Sequence, residues 1–348
     1  VCEVLGHFHA HRKHGITHME NVMTQAWARF GALGLMALLG LGWLPALAQT
    51  FPTKAITIIN PFAAGGPADL IARAAAKVLS ENLGQPVVID YKAGGGGSIG
   101  AGLAAKATPD GHTLFLGTSA AHVVNPLVQK TSYDGIKDFE FLGIVANTVN
   151  VLVVHPSVPA KNLSEFLALA KAQPGKLNYG SAGQGTTGHL GMELLKLNAG
   201  VFIVHVPYRG AAPAVNDLLG GAVQAAMPNL SVVLPMIKAG RLRAIAYATK
   251  DRSKLIPDVA TFAESGMPGY ESTTWYSLAA PAGTPPEVLQ RLRQAVHALL
   301  DSPEYQALML AQGSEVMKLS AAETLEFVRR DFRQTDALIK SAKIKIEN

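Results

Sequence analysis

"PFAAGGPADLIARAAAKVL", residues 61–79, decides how the rest of the chain is read. It follows the apolar run Ile56 to Ile59, so a short strand passes through Ala-Ala-Gly-Gly-Pro into a helix. Leu70, Ile71, Ala74, Ala75, Val78 and Leu79 recur at helical spacing and predict one buried face, with Gly84 placed to end it. The loop offers mainly backbone. At a helix start several N–H groups lack an intrahelical acceptor and the helix dipole is positive, which makes an anion site without charged side chains. Glycine lets the main chain approach a ligand closely, and Pro67 suits a first helical turn because its missing N–H costs nothing there.

Working outward, the same unit of strand, small-residue loop and amphipathic helix recurs, which predicts a parallel α/β fold. At 348 residues, 49% of them apolar and 16% charged, the chain is long enough for two lobes. "FLGIVANTVNVLVVHPS" is too long for one small sheet and reads as a connection between them. "TTWYSLAAPAGTPPEVLQRLRQAVHALL" repeats the pattern of "VNVLVVHPSVPAKNLSEFLALAKA", with strand, Pro, Pro and helix in the same order, and marks a second crossing. The expected lobes are 49–149 plus 272–348, and 150–271. Asn162 with Glu165 resembles a capping box opening a helix that ends near Gly175. Helix-start loops recur at Ala64 to Asp69, Gly117 to His122, Gly180 to His189 and Tyr208 to Pro213. If they face one cleft they embrace a small carboxylate, with Ser119, Ser181, Thr186 and Thr187 as hydroxyl donors.

The first 48 residues read differently. "FGALGLMALLGLGWL", residues 30–44, is uncharged, follows Arg29 and precedes "PALAQ", so a secretory signal peptide cleaved after Ala48 is expected. The run is short for a membrane span of about 20 residues. Five of the eleven histidines, His7, His9, His11, His14 and His18, lie upstream of it and read as leading sequence rather than a ligand cluster. Cys2 is the only cysteine, which leaves the folded body without thiol chemistry or Cys-ligated zinc. The other histidines are scattered, so no metal and no cofactor are expected. Net charge is +5, of which the first 48 residues contribute +1, and no dense Lys/Arg run suits a nucleic acid. The mild excess fits a small anion better.

Several segments together carry a resemblance: "PFAAGGPADLIAR", "YKAGGGGSIGA", "PDGHTLFLGTS", "YDGIKDFEFLG", "GKLNYGSAGQGTTGHL", "VPYRGAAPAVNDLLGG", "IKAGRLRAIA" and "WYSLAAPAGTP". In order and spacing they resemble the Bug-type solute-binding proteins of tripartite tricarboxylate transporters, from Phe51 to the C-terminus. The resemblance implies a periplasmic, two-lobed, type II binding-protein fold that closes on a carboxylate and hands it to a membrane permease, and a monomer is expected. It places the first ligand loop on Phe62, Ala64, Gly65, Gly66, Ala68 and Asp69, with Asp69 as a structural cap or loop brace, since an acidic contact would repel the ligand. The second falls on Ser181, Gly183, Gly185, Thr186, Thr187 and His189. Ser119, Ala120, Tyr208, Gly210, Ala211 and Asn229 complete the pocket. Ala93, Pro228 and Asn60 depart from the usual family residues, and Pro228 lies beside the expected cleft.

Two enzyme readings compete. "GGGSIG", residues 95–100, satisfies G-x-G-x-x-G, but the position about 20 residues on, where a ribose-binding acid belongs, is Phe115. A hydrolase would use Ser119 or Ser181 with His122 or His189, yet no G-x-S-x-G elbow exists. Trp275 and Tyr276 read as inter-lobe packing. Arg209 is open to a second carboxylate or to solvent, and the terminal "FVRRDFRQTDALIKSAKIKIEN" reads as an amphipathic helix with a solvated face.

Overall fold

A computed structural model describes residues 51–341. The expected leader and the last seven residues lie outside the described range. The chain opens with β1 (Ile56–Asn60), α1 (Pro67–Leu83), β2 (Val87–Tyr91), α2 (Ser98–Ala105) and β3 (Thr113–Thr118). A π-helical turn, Ala120–Val124, leads into the short α3 (Asn125–Val128), and β4 (Phe139–Val149) follows. Next come β5 (Val151–Val154), α4 (Leu163–Ala172), β6 (Asn178–Ser181), α5 (Thr187–Ala199), β7 (Val204–Pro207) and α6 (Ala211–Leu219). After β8 (Ala225–Ala226), α7 (Leu230–Lys238) and β9 (Arg243–Tyr247), the chain returns through β10 (Thr273–Pro281). It ends with α8 (Pro286–Asp301), α9 (Pro303–Ala311), β11 (Ser314–Glu315) and α10 (Ala321–Ser341).

Two sheets result, ordered β11-β4-β10-β3-β1-β2 and β7-β6-β8-β5-β9. The repeated strand, loop and helix units are parallel, β1 with β2 and β3, and β6 with β7 and β8. The sheets are nevertheless mixed. β10 runs antiparallel to β3 and β4, and β5 antiparallel to β8 and β9, because strands that cross between sheets meet their neighbours from the opposite end. At the crossing the Asn150 amide bonds to the Ser272 carbonyl at 2.9 Å, and the Ser272 amide to that of Ala248 at 2.9 Å.

Each sheet has its own core. α1 buries Ile71, Ala72, Ala75, Leu79 and Leu83 against Leu292, Val296 and Leu299 of α8. Its buried stripe is rotated from the expected one, leaving Leu70, Ala74 and Val78 half-buried, because α8 packs on the flank of the helix. Gly84 ends α1 at φ +70°, its amide bonded to the Ser80 carbonyl. In the other lobe Phe166, Tyr179, Met192, Leu195 and Phe262 form the equivalent mass. α10 does more than present a solvated face. It buries Thr324 and Val328, and Asp331 accepts a hydrogen bond from the Trp275 indole at 2.8 Å.

Candidate functional site: a cavity ringed by helix starts

β1 ends at Asn60, whose side-chain oxygen accepts the Phe62 amide at 3.1 Å and turns the chain out of the sheet. The loop then reaches Gly65, at φ +82°, where the amide donates to Asp69 Oδ2 at 2.8 Å. Asp69 is buried, and its other oxygen takes hydrogen bonds from Arg73 Nε at 2.9 Å and the Tyr91 hydroxyl. Burial pushes this carboxyl up, but the Tyr91, Gly65 and Arg73 donors outweigh it and hold the pKa below the ordinary value. All of this shapes the loop from behind.

The second lobe repeats the arrangement with other chemistry. After β6 the loop passes Gly183 (φ +130°) and Gly185 (φ +73°), and the Gly185 amide donates to His189 Nδ1 at 3.1 Å. Asp69 and His189 thus occupy the third position of α1 and α5, and each receives the amide of the glycine four residues earlier. His189 is buried and stacks on His205, with ring centroids 4.1 Å apart. Burial lowers the His189 pKa to about 4 and that of His205 to about 3, helped in His205 by its neighbour. His205 Nε2 lies 2.6 Å from Ser181 Oγ, and the Thr186 hydroxyl donates to the Gly183 carbonyl at 2.7 Å.

These loops open on one cavity, with about 60 Å³ available to the centres of water molecules. Four helix starts reach it: Gly66 to Ala68 of α1, Thr186 to Gly188 of α5, Ala211 of α6 and Asn229 before α7. In none of the four does the N-cap side chain bond a helix amide. Among the described residues no charged side chain lines the cavity. Phe62, Ala214, Val215, Met227 and Pro228 supply apolar walls.

The floor is polar and internally bonded. Asn229 Nδ2 donates to Asn150 Oδ1 at 2.6 Å and Thr274 Oγ1 at 2.9 Å, while Tyr276 OH donates to Asn229 Oδ1 at 2.8 Å. Asn150 Nδ2 in turn reaches Ser272 Oγ at 2.7 Å and Thr187 Oγ1 at 3.2 Å. This network joins both crossing strands to two helix starts, and both of the Asn229 amide hydrogens are used in it.

Of the residues singled out in the sequence, Phe62, Gly66, Ala68, Ala120, Ser181, Thr186, Thr187, Ala211 and Asn229 line the cavity. Gly65, Asp69, Gly183, Gly185 and His189 stand behind it as loop supports. Ala64, Tyr208 and Gly210 also lie off its wall, the Tyr208 hydroxyl being held by Asp217 at 2.6 Å. Ser119 opens on an adjoining groove with Glu271, Trp275 and Asp331, because the residues on either side of it, Thr118 and Ala120, face the cavity and Ser119 between them faces away. Thr118 lines the cavity instead. Its oxygen accepts the Ala121 amide at 3.2 Å, and its hydroxyl hydrogen has no acceptor among the described residues. Thr118, Asn150 and Thr274 were not singled out, although polar residues interrupting apolar strands were a legible signal. Tyr276 faces the cavity and Trp275 the opposite side, while Arg209 is exposed and off the cavity wall.

The hydrolase pairs do not assemble. Ser119 Oγ has no hydrogen-bond partner among the described residues, and the buried His122 bonds Gly135 O and Ser277. Ser181 meets His205 rather than His189, and an imidazole with a pKa near 3 is too weak a base to draw the hydroxyl proton at neutral pH.

The model of the tripartite tricarboxylate transporter family receptor, TctC, matches residues 71–344. Protein BugT of Bordetella pertussis (strain Tohama I) is 34% identical over 305 residues, covering 87% of this chain and 94% of its own. Two solved structures from Rhodopseudomonas palustris are similar throughout. Rpa4515 with adipate has a TM-score of 0.81 and 36% identity, over 85% of this chain and 99% of that one. MatC with bound malate has a TM-score of 0.80 and 30% identity, over 83% and 100%. The chain belongs to the TctC family of solute-binding receptors and is not an enzyme.

Proposed function

We propose that this chain captures a small organic carboxylate between its two lobes, outside the cytoplasm, and delivers it as a monomer to the membrane subunits of a tripartite tricarboxylate transporter. The lobes are 49–149 with 272–348, and 150–271, hinged at Asn150 and Ser272, and the leader is removed after Ala48. One observation carries this reading: four helix starts without side-chain caps surround a cavity that, among the described residues, no charged side chain lines. Backbone amides at such termini are preorganised donors, and a carboxylate completes their hydrogen bonding. The Thr118 and Thr187 hydroxyls and the apolar walls select what the carboxylate is attached to.

Two structural neighbours were solved with adipate and malate, so linear diacids and hydroxy acids are the first candidates. A thermal-shift screen of mono-, di- and tricarboxylates tests the reading. A ligand at 100 times its dissociation constant stabilises the folded chain by about 2.7 kcal/mol. A panel in which no carboxylate raises the melting temperature, while neutral or cationic solutes do, contradicts it.

A further inference from the structure

The glycine run that mimics a dinucleotide motif has no part in the cavity, yet its backbone is unusual. Gly94, Gly95, Gly96 and Gly97 all have positive φ, at +143°, +57°, +60° and +100°, a sequence of angles that only glycine adopts without strain. This turn belongs to the first lobe and meets the second ligand loop of the other lobe. A methyl group on Gly96 would run into the Gln184 carbonyl oxygen, and one on Gly183 would stand 3.1 Å from the Gly96 nitrogen.

Asn125 fixes the turn. It is 0% exposed, and its Nδ2 donates to Gly96 O at 3.0 Å and more weakly to Gly95 O at 3.4 Å. Two carbonyls on that side set the orientation of the carboxamide and aim Oδ1 the other way. There Oδ1 has no hydrogen-bond partner among the described residues and lies against Gly185, where a methyl group would collide with it. Gly185 is the residue whose amide His189 holds. One buried side chain of the first lobe therefore touches both the glycine turn and the loop that leads into α5.

We propose that Asn125 and the Gly94–Gly97 turn are the positioning device for closure, a seat on the first lobe that receives Gly183–Gly185 and sets the α5 helix start toward the ligand. Glycine is required at 96 and 183 because the two backbones approach too closely for side chains, and at 185 because the Asn125 carboxamide occupies the space a side chain would need. The inference rests on the receptor reading for its purpose, but its geometry is tested without any ligand.

The probe is a disulfide across the cleft. A Cβ built on Gly66, whose φ is negative, stands 3.9 Å from Ala211 Cβ, within the usual disulfide range. The full chain carrying Gly66→Cys and Ala211→Cys, with Cys2→Ser to remove the remaining thiol, is oxidised with diamide and the cross-linked band is timed. Asn125→Ala and Gly96→Ala, each confirmed as folded by circular dichroism, are expected to slow cross-linking about tenfold, equivalent to about 1.4 kcal/mol of lost closure. Gly200→Ala is the control. Gly200 has nearly the same φ, +63°, but nothing within 4 Å, so strain alone predicts equal slowing there.

Unchanged rates in both variants, equal slowing by Gly200→Ala, or no cross-link in the starting pair would overturn the proposal. Failure of every carboxylate to bind would instead strike the receptor reading and leave these rates untouched.

Discussion

The two ligand loops are built on one plan with opposite chemistry. In the first lobe an ionised carboxylate, Asp69, accepts the Gly65 amide and is supported by Arg73 and Tyr91. In the second a neutral imidazole, His189, accepts the Gly185 amide and is supported by stacking on His205. Either acceptor pulls a loop glycine back toward the helix and leaves the following amides facing the cavity. What the loops share is geometry, and the residue providing it is interchangeable. A negative Asp69 near an anion site is tolerable because its charge is spent on donors behind the loop.

A second contrast is between capped and uncapped helix starts. α4, α9 and α10 begin away from the cavity and are closed by side chains: Asn162 on the Glu165 amide at 2.9 Å, Ser302 on Tyr305 at 3.3 Å, Ser320 on Glu323 at 3.3 Å. The four starts at the cavity have no such cap, as is also true of α2 and α8 away from it, but only at the cavity do four uncapped starts converge. Caps of this kind contribute about 1 kcal/mol each. Convergence of four uncapped starts on one cavity is the arrangement that a ligand acceptor would complete.

The largest expected effect comes from filling the first loop. Gly66→Val places a branched side chain on the cavity wall beside Ala211 and should weaken carboxylate binding by about a hundredfold, or about 2.7 kcal/mol, with the circular dichroism spectrum preserved. Affinity within threefold of the original would remove this loop from the site. Next, Asp69→Ala leaves the Gly65 amide and the Tyr91 hydroxyl without their acceptor, a loss of about 1–3 kcal/mol in urea unfolding together with weaker binding. Equal stability would show that the brace is dispensable.

Acid separates the two braces. The folded pKa values of His189 and the fully buried His122, both about 4, lie below the ordinary value of 6.5. Between those limits the unfolded chain binds protons that the folded chain refuses, so stability falls as pH drops, by up to about 1.4 kcal/mol per pH unit for each. Asp69 has the same sign of dependence but at lower pH: its folded pKa lies below the ordinary carboxylate value, so its contribution is lost only as pH falls through that range. His189→Phe should flatten the slope of unfolding free energy between pH 6.5 and 4. A slope equal to that of the parent chain would mean that His189 is protonated in the fold. The smallest effect is expected at a remote start. Asn162→Ala costs about 1 kcal/mol of stability and leaves affinity unchanged, and a parallel loss of binding would break the division between capped and open starts.

Much of this plan was legible in the sequence, because small-residue loops between apolar strands and amphipathic helices have few other readings. Both crossings could be seen as repeated strand-Pro-Pro-helix patterns. Gly185 was expected to make room for the carboxylate, but in the fold its bare face meets Asn125, a contact between segments 60 residues apart that local pattern cannot reveal. Ser119 looked like the donor after β3, but Thr118 and Ala120 face the cavity and Ser119 between them faces the adjoining groove, an alternation whose phase the sequence does not fix. The roles of His189 and His205 depend on which ring faces which, and composition carries no such information. The bonded floor of Asn150, Asn229 and Thr274 joins three distant segments and becomes visible only when they are brought together.

The central claim is that main-chain amides of both lobes grip a carboxylate group. Isothermal titration calorimetry with the best acid from the thermal screen, set beside its primary amide of the same carbon skeleton, measures this directly. The expected result is one molecule of acid bound per chain, with the amide at least about a hundredfold weaker, about 2.7 kcal/mol. Equal affinity for acid and amide would contradict the account.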